Sequence, residues 1–168
     1  MSEAPRSDRD SQPGEDPRAS PAQQAPGGDS YTWYRRGLDL LGRGSPAAAA
    51  QLLERAAEAE PGARSVLEAL GRAQFDTGRY AQAAASFRQI VEASPSDDYA
   101  HFGLGLALAR NGDPAAAAEH LALAAAMRPE LRHYTEALRG VRATLRARAE
   151  AAASGSADPS DPPGEEPS

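Results

Sequence analysis

The sequence predicts an all-α fold, a solenoid of helical hairpins, because one ten-residue pattern recurs at a fixed spacing. GSPAAAAQLL at 44–53 and GDPAAAAEHL at 112–121 are separated by 68 residues, and a more divergent copy, GRYAQAAASF, lies halfway between them at 78–87. The repeat is therefore 34 residues long, and such a period is typical of stacked supersecondary units. Apolar residues within each unit recur at three- and four-residue steps, which predicts helices.

Three complete units align without gaps, as repeat 1 (30–63), repeat 2 (64–97) and repeat 3 (98–131). Glycine, alanine, proline and a large apolar residue occupy the same positions in all three, which alanine richness alone does not produce. These columns contain Gly37, Gly71 and Gly105; Gly44, Gly78 and Gly112; Ala49, Ala83 and Ala117; Leu53, Phe87 and Leu121; and Pro61, Pro95 and Pro129.

Each unit is predicted to open with a helix that begins near Trp33, Leu67 or His101. A glycine inside that helix, Gly37 in repeat 1, costs about 1 kcal/mol relative to alanine. We expect the close approach of the second helix to offset this cost, with the alanine column that contains Ala49 meeting the glycine.

The second helix of each unit is predicted from its start and stop signals. The Gly44 column supplies a turn in which φ is positive. Ser45 and Asp113 are then expected to cap the helix, each followed by proline at the first helical position. The Pro61 column ends the helix, because proline has no N–H for the hydrogen-bond ladder.

A last helix is predicted at 132–150, where apolar residues form a stripe that covers the end of the array. The stripe contains Leu131, Tyr134, Leu138, Val141 and Leu145. The same segment is rich in arginine, so an alternative function is association with nucleic acid through this helix. The acidic balance of the chain, and the single aromatic residue in the segment, disfavour that alternative.

The two ends of the chain, 1–29 and 151–168, are predicted to be disordered acidic tails rich in proline, serine and glycine. They carry net charges of −3 (six acids, three arginines) and −4 (four acids, no base), whereas 30–150 carries +1 (15 arginines, 14 acids). The chain has no lysine, and this usage is typical of a GC-rich, for example actinobacterial, genome.

These columns resemble the tetratricopeptide repeat family, whose pattern is W-x₂-L-G-x₂-Y, then A-x₃-F, then P, over 34 residues. The three units read WYRRGLDL, LEALGRAQ and HFGLGLAL, then AAQLL, AAASF and AAEHL, then proline. Arg36 and Gln74 depart from the pattern, as does Ile90. The resemblance implies a right-handed superhelix whose concave face, formed by the first helices, binds a peptide or helix of a partner protein.

The resemblance also implies which residues line that groove, namely the side chains of the first helices that the packing columns do not use. Aromatic residues and arginine among them are the types that most often anchor interfaces. The predicted groove residues are Tyr31, Tyr34, Arg35, Leu38, Leu41, Glu68, Arg72, Phe75, Tyr99, Phe102, Leu106 and Arg110. The alternative for each is packing between adjacent repeats.

Co-chaperone members of the family hold the C-terminal carboxylate of a partner with lysine, asparagine and arginine side chains. The matching positions here are Tyr34, Leu38, Ala69, Tyr99 and Gly103, so that clamp is absent. A largely apolar groove favours an amphipathic helix or an extended apolar segment. The sequence therefore predicts a cytoplasmic adaptor, with self-association as the first alternative.

Catalysis, cofactors and metals are not expected. The chain has no cysteine, no GxSxG and no phosphate-binding GK[ST] loop, and GLGLAL at 103–108 lacks both the last glycine and the preceding strand of a dinucleotide motif. His101, His120 and His133 are not spaced as metal ligands. His101 is expected to be a packed, hydrogen-bonded core residue. No stretch is long and apolar enough to cross a membrane.

Overall fold

The structure, a computed structural model, describes residues 26–155 and contains seven α helices over that range. They are α1 (Pro26–Gly42), α2 (Pro46–Ala59), α3 (Arg64–Asp76), α4 (Tyr80–Ala93), α5 (Asp98–Arg110), α6 (Pro114–Met127) and α7 (Arg132–Gly155). The all-α class and the three helical hairpins are confirmed. None of these seven helices has the length and hydropathy needed to span a bilayer.

Two boundaries differ from the sequence prediction. Helix α1 begins at Pro26 and α7 continues to Gly155, so residues 26–29 and 151–155, predicted as tail, are helical. Proline is tolerated in the first turn of a helix, where its missing N–H has no partner to lose. The start of α1 is also held by Ser30, which is 1% exposed and donates a hydrogen bond to Glu60. The rest of the two predicted tails, 1–25 and 156–168, lies outside the described residues.

The connections within the hairpins follow the predicted signals. Gly44, Gly78 and Gly112 have φ of +73°, +76° and +94°, the left-handed region that glycine reaches without strain. Asp113 caps α6 by accepting a hydrogen bond from the Ala116 N–H at 3.1 Å. Ser45 occupies the equivalent position before α2, but its hydroxyl makes no capping hydrogen bond, so that part of the prediction is wrong.

The proline column lies where each second helix has just ended. Helices α2, α4 and α6 end at Ala59, Ala93 and Met127, two residues before Pro61, Pro95 and Pro129. This arrangement confirms the predicted role of proline as a stop.

The close approach of the two helices in each hairpin is made by the large apolar column, not by the alanines as predicted. A Cβ on Gly37 would lie 2.6 Å from Leu53 Cγ, and one on Gly71 would lie 2.7 Å from Phe87 Cε2. In repeat 3 the Ala117 backbone oxygen also approaches Gly105, at 3.2 Å from such a Cβ. The alanines are fully buried beside these contacts. The glycines therefore make room for a large side chain of the facing helix.

Helix α7 covers the end of the array as predicted. Tyr134 and Val141 are buried, and Tyr134 donates a hydrogen bond to Asp98 Oδ2 at 2.9 Å. Burial and this carboxylate raise the pKa of Tyr134 above its usual range, so the hydroxyl remains a donor. The contact joins the capping helix to the start of α5.

Candidate functional site

The first helices of the repeats form one continuous face. Helix α1 contacts α3, α3 contacts α5, and α5 contacts α7, whereas among the described helices α2, α4 and α6 do not contact one another. Helices that approach one another lie on the inside of the curve, and helices that diverge lie on the outside. The concave face is therefore formed by α1, α3, α5 and α7.

A cleft of about 220 Å³ opens on this face between α3 and α5. Five of the twelve predicted groove residues lie in its walls together with three residues that were not predicted. The lining residues are Arg72, Phe75, Asp76, Phe87, Tyr99, Phe102, Gly103 and Leu106. We call this surface the α3–α5 cleft.

The floor of the α3–α5 cleft is the ring of Phe87, which comes from α4. The ring fits between two helices because each offers a glycine: a Cβ on Gly71 would lie 2.7 Å from the ring, and one on Gly103 would lie 2.6 Å from it. Phe87 is 2% exposed, so it has no room to retreat. The ring thus fixes the spacing of α3 and α5, and with it the width of the cleft.

Charged and polar groups surround the rim near Tyr99. Burial raises the pKa of Tyr99, Arg72 acts in the opposite direction, and Glu68 and Asp76 raise it further. The phenol is therefore protonated at neutral pH and presents a hydrogen-bond donor. Glu68 itself is engaged by Arg64 at 3.0 Å. The rim thus combines a cation, two anions and a neutral donor around an apolar floor.

Arg110 closes one end of the α3–α5 cleft. Its guanidinium carbon lies 6.0 Å from the centre of the Phe75 ring and 5.5 Å from that of the Tyr80 ring, distances typical of cation–π contact. The two rings meet edge to face at 5.2 Å. Arg110 was predicted to flank the groove, whereas Tyr80, on α4, was not predicted at all.

Phe102 has two functions in the structure. It lines the cleft, and it also stacks on Tyr134 of α7 with ring centres 4.5 Å apart. The His133 ring packs against its edge at 5.2 Å. Groove lining and packing, which the sequence leaves as alternatives, are therefore both true of this side chain.

The predicted groove residues of repeat 1 do not join the α3–α5 cleft. Tyr31 and Tyr34 line a separate depression of about 230 Å³ with Ser65 and Val66. Leu38 and Leu41 are half-buried and pack against the core around Leu53. Arg35 is exposed and forms no ion pair with any residue of 26–155. For Leu38 and Leu41, packing within the array is the correct alternative.

Two histidines that are distant in sequence meet between α5 and α6. The Nδ1 atoms of His101 and His120 are 3.0 Å apart, and Nε2 of His101 lies 3.0 Å from the Pro95 carbonyl oxygen. Because a carbonyl only accepts, His101 donates from Nε2 and accepts at Nδ1 from the Nδ1–H of His120. The prediction of a packed, hydrogen-bonded His101 is confirmed. No group of three or more metal-ligating side chains forms within 26–155.

The sequence contained a signal for one of the missed residues. Phe87 is the only aromatic member of its column, where Leu53 and Leu121 are its counterparts, and Gly103 replaces the Ala69 of repeat 1. A larger ring paired with a smaller neighbour is the pattern of a compensated contact. Asp76 and Tyr80 have no such signal, because their positions differ in type from one repeat to the next.

Comparison with known proteins supports the same fold. The tetratricopeptide repeat family model matches residues 34–98 and 68–131, which together are more than half of the chain. The chain belongs to the tetratricopeptide repeat family. Among curated proteins, none matches the sequence.

Several solved structures have a similar fold at low sequence identity. The first tetratricopeptide repeat domain of Spaghetti (RPAP3), bound to the HSP90 peptide SRMEEVD, is 16% identical over 74% of this chain and 99% of its own, with a TM-score of 0.67. The Sgt2 domain from Aspergillus fumigatus is 18% identical over 89% and 95%, with a TM-score of 0.67. MamA from Desulfovibrio magneticus RS-1 is 22% identical over 74% and 70%, with a TM-score of 0.68.

Proposed function

We propose that this protein is a non-catalytic adaptor that binds a segment of a partner protein in the α3–α5 cleft. The observation that supports the proposal is the cleft itself, an apolar floor of aromatic rings under a polar rim on the concave face of a repeat array. Binding pockets typically place a few polar groups around an apolar lining in this way. A cytoplasmic location remains a prediction from the sequence.

The size of the cleft favours a peptide over a small-molecule ligand. Sites for drug-sized molecules enclose about 300–1,000 Å³, whereas this cleft encloses about 220 Å³. It therefore suits one or two side chains of a longer ligand that continues along the concave face. The rings of Phe75 and Phe87 favour a large apolar side chain, and the Tyr99 hydroxyl is placed to donate to a backbone carbonyl.

The peptide is expected to differ from the one bound by Spaghetti. That ligand, SRMEEVD, ends in acidic residues, and two acids already border this cleft at Glu68 and Asp76. Like charges across an interface are unfavourable. We therefore propose a ligand whose anchoring residue is apolar and whose flanks are neutral or of mixed charge.

A pair of substitutions with a matched control tests the proposal. Phe75→Ala with Leu106→Ala removes two half-buried side chains from the cleft, while Leu123→Ala with Met127→Ala removes two exposed apolar side chains from α6. We expect the first pair to lose a partner captured from the lysate of the encoding organism, and the second pair to retain it. Circular dichroism checks that both remain helical. Phe102 is avoided, because its stack on Tyr134 ties it to stability.

Crosslinking locates the contact directly. A benzophenone amino acid at Leu106 is expected to trap the partner, whereas the same group at Leu123 is not. A partner that crosslinks from Leu123 alone, and survives the cleft substitutions, would show that binding takes place on the outer surface.

A further inference from the structure

Three arginines of α7 share one side of the helix. Arg139, Arg142 and Arg146 are spaced three and four residues apart, a spacing that brings helical side chains together. With Thr135 and Leu138 they line a shallow cleft of about 350 Å³. All three arginine side chains are exposed. We call this surface the arginine face of α7.

The arginine face has no counter-charge within the described residues. No hydrogen bond or ion pair joins its three guanidinium groups to any group of 26–155. Other arginines of the chain do pair with carboxylates, and these are Arg43, Arg64, Arg79 and Arg128. Helix α7 has five arginines against Glu136 and Glu150, a balance of +3. Like charges three and four residues apart on a helix repel, so this face favours an acidic ligand.

The segment that directly follows α7 has the opposite charge. Residues 156–168, SADPSDPPGEEPS, contain four acids, no base and four prolines. The first 25 residues are also acidic, but their five acids are mixed with three arginines. The 156–168 segment is therefore the part of the chain with the greatest charge complementarity to the arginine face.

We propose that segment 156–168 binds back along the arginine face of α7. In this arrangement Asp161 lies opposite Arg146. The neighbouring pair Glu165 and Glu166 lies opposite Arg142 and Arg139. The occupant is thus the chain's own acidic segment, and the arginine face is available to another polyanion only when this segment is displaced.

The lengths of the two elements support this arrangement. At about 1.5 Å per helical residue, Gly155 lies about 14 Å along the axis from Arg146 and about 24 Å from Arg139. A proline-rich extended segment advances about 3.1 Å per residue, so Asp161 reaches about 19 Å and Glu165 about 31 Å. Each distance exceeds the one it must cover by about 5–7 Å, which leaves length for the reversal after Gly155.

The spacing of the charges matches as well. Asp161 and Glu165 are about 12 Å apart in an extended segment, and Arg146 and Arg139 are about 10 Å apart along the helix. Exposed ion pairs are individually weak, but the tether gives the segment an effective concentration in the millimolar range. Binding of this kind is screened by salt, which supplies the experimental handle.

A paramagnetic label on the segment tests the proposal in the full chain. Because the chain has no cysteine, Ser168→Cys provides a single attachment point. We expect the amide signals of 139–146 to broaden strongly at about 20 mM salt and to recover at about 0.5 M. The baseline is a variant with a neutral segment, carrying Asp158→Asn, Asp161→Asn, Glu165→Gln and Glu166→Gln.

Two arginine variants separate the arginine face from charge in general. Arg139→Gln, Arg142→Gln and Arg146→Gln together are expected to reduce the broadening to that baseline. Arg36→Gln, Arg55→Gln and Arg88→Gln remove three exposed arginines from other helices and are expected to leave it unchanged. Helical content is compared by circular dichroism, since glutamine is a good helix former at all six positions.

A competition measurement gives a second readout. A hexaglutamate peptide is expected to bind the neutral-segment variant about fivefold more tightly than the parent, because the parent must first release its own segment. Equal affinities, broadening no greater than the baseline, or broadening that survives the substitutions at 139, 142 and 146 would each overturn the proposal. Broadening seen only between labelled and unlabelled molecules in a mixture would assign the arginine face to a second copy and also overturn it.

Discussion

The junction between repeats 1 and 2 and the junction between repeats 2 and 3 use the same columns with different side chains. At the first, Leu53 packs over Gly37 in a core that includes Ala69. At the second, the Phe87 ring lies between Gly71 and Gly103, and Gly103 is the counterpart of Ala69. The larger side chain thus requires two glycines where leucine requires one.

The end of the array supports the same rule. Leu121 packs over Gly105, and the position equivalent to Gly103 is Ala137 on α7. Of the three junctions, the cleft with aromatic walls occurs at the one that carries the ring. The comparison teaches that one substitution in a packing column, together with its glycine partner, turns an ordinary repeat junction into a candidate binding site.

The largest expected effect comes from removing the ring. Phe87→Ala is expected to lower the free energy of unfolding by about 3–5 kcal/mol, because a buried aromatic leaves a cavity between two glycines. Chemical denaturation measures the loss. Leu53→Ala is the matched control: it should also destabilise, by about 2–5 kcal/mol, but leave the NMR signals of Tyr99 and Phe102 in place. Equal disturbance of those signals by both variants would contradict the distinct role of the second junction.

The next effect tests the glycine partner. Gly103→Ala is expected to lower the free energy of unfolding by about 1–2 kcal/mol, since overpacking against the ring outweighs the gain in helix propensity. Adding Phe87→Leu recreates the leucine and alanine pair of repeat 1. The double variant is therefore expected to be more stable than the sum of the two single changes, by about 1 kcal/mol or more. Strict additivity would refute the coupling.

A glycine in open space should respond with the opposite sign. Gly140 lies inside α7, and a Cβ there would meet no heavy atom within 4 Å. Gly140→Ala is expected to raise the free energy of unfolding by about 0.5–1 kcal/mol through helix propensity alone. Thermal denaturation beside Gly103→Ala provides the comparison, and destabilisation by both would show that the contact with Phe87 is not the deciding factor.

The smallest effect distinguishes the third hairpin, because only a half-exposed group carries it. Burial, and then the proximity of His101, lower the pKa of His120 below its usual value of about 6.5. The unfolded chain therefore binds a proton more readily, so this contribution to stability is present above about pH 6.5 and is lost as pH falls through the folded-state pKa. His120→Gln should flatten the pH dependence of melting between neutral and mildly acidic conditions. An unchanged profile would contradict the assignment.

The fold was predictable from the sequence because its columns carry conformational requirements. Positive φ at Gly44 and the missing N–H of Pro61 act locally, and a 34-residue period multiplies each signal by three. The start of α1 was not predictable in this way. Pro26, Gly27 and Gly28 disfavour helix by propensity, and the burial of Ser30 against Glu60 is a tertiary contact.

The candidate site was predictable only where adjacent repeats face each other. Arg72, Phe75 and Leu106 were placed correctly, because the concave face follows from the first helices. Tyr34 was assigned to the same groove but lines a different depression, since the α3–α5 cleft extends over one junction only. The meeting of His101 and His120 depends on the register of α5 against α6, which periodicity does not specify.

The position of Phe87 also has a thermodynamic consequence. In a solenoid, stability is a sum of intrinsic repeat energies and nearest-neighbour coupling energies. The Phe87 ring contributes to the coupling of repeats 2 and 3 and is at the same time the floor of the α3–α5 cleft. Any ligand that rests on the ring therefore strengthens the cooperativity of those two repeats by linkage. Occupancy of the cleft would then be registered as slower hydrogen exchange in α4 and α5, while exchange in α1 and α2 stays the same.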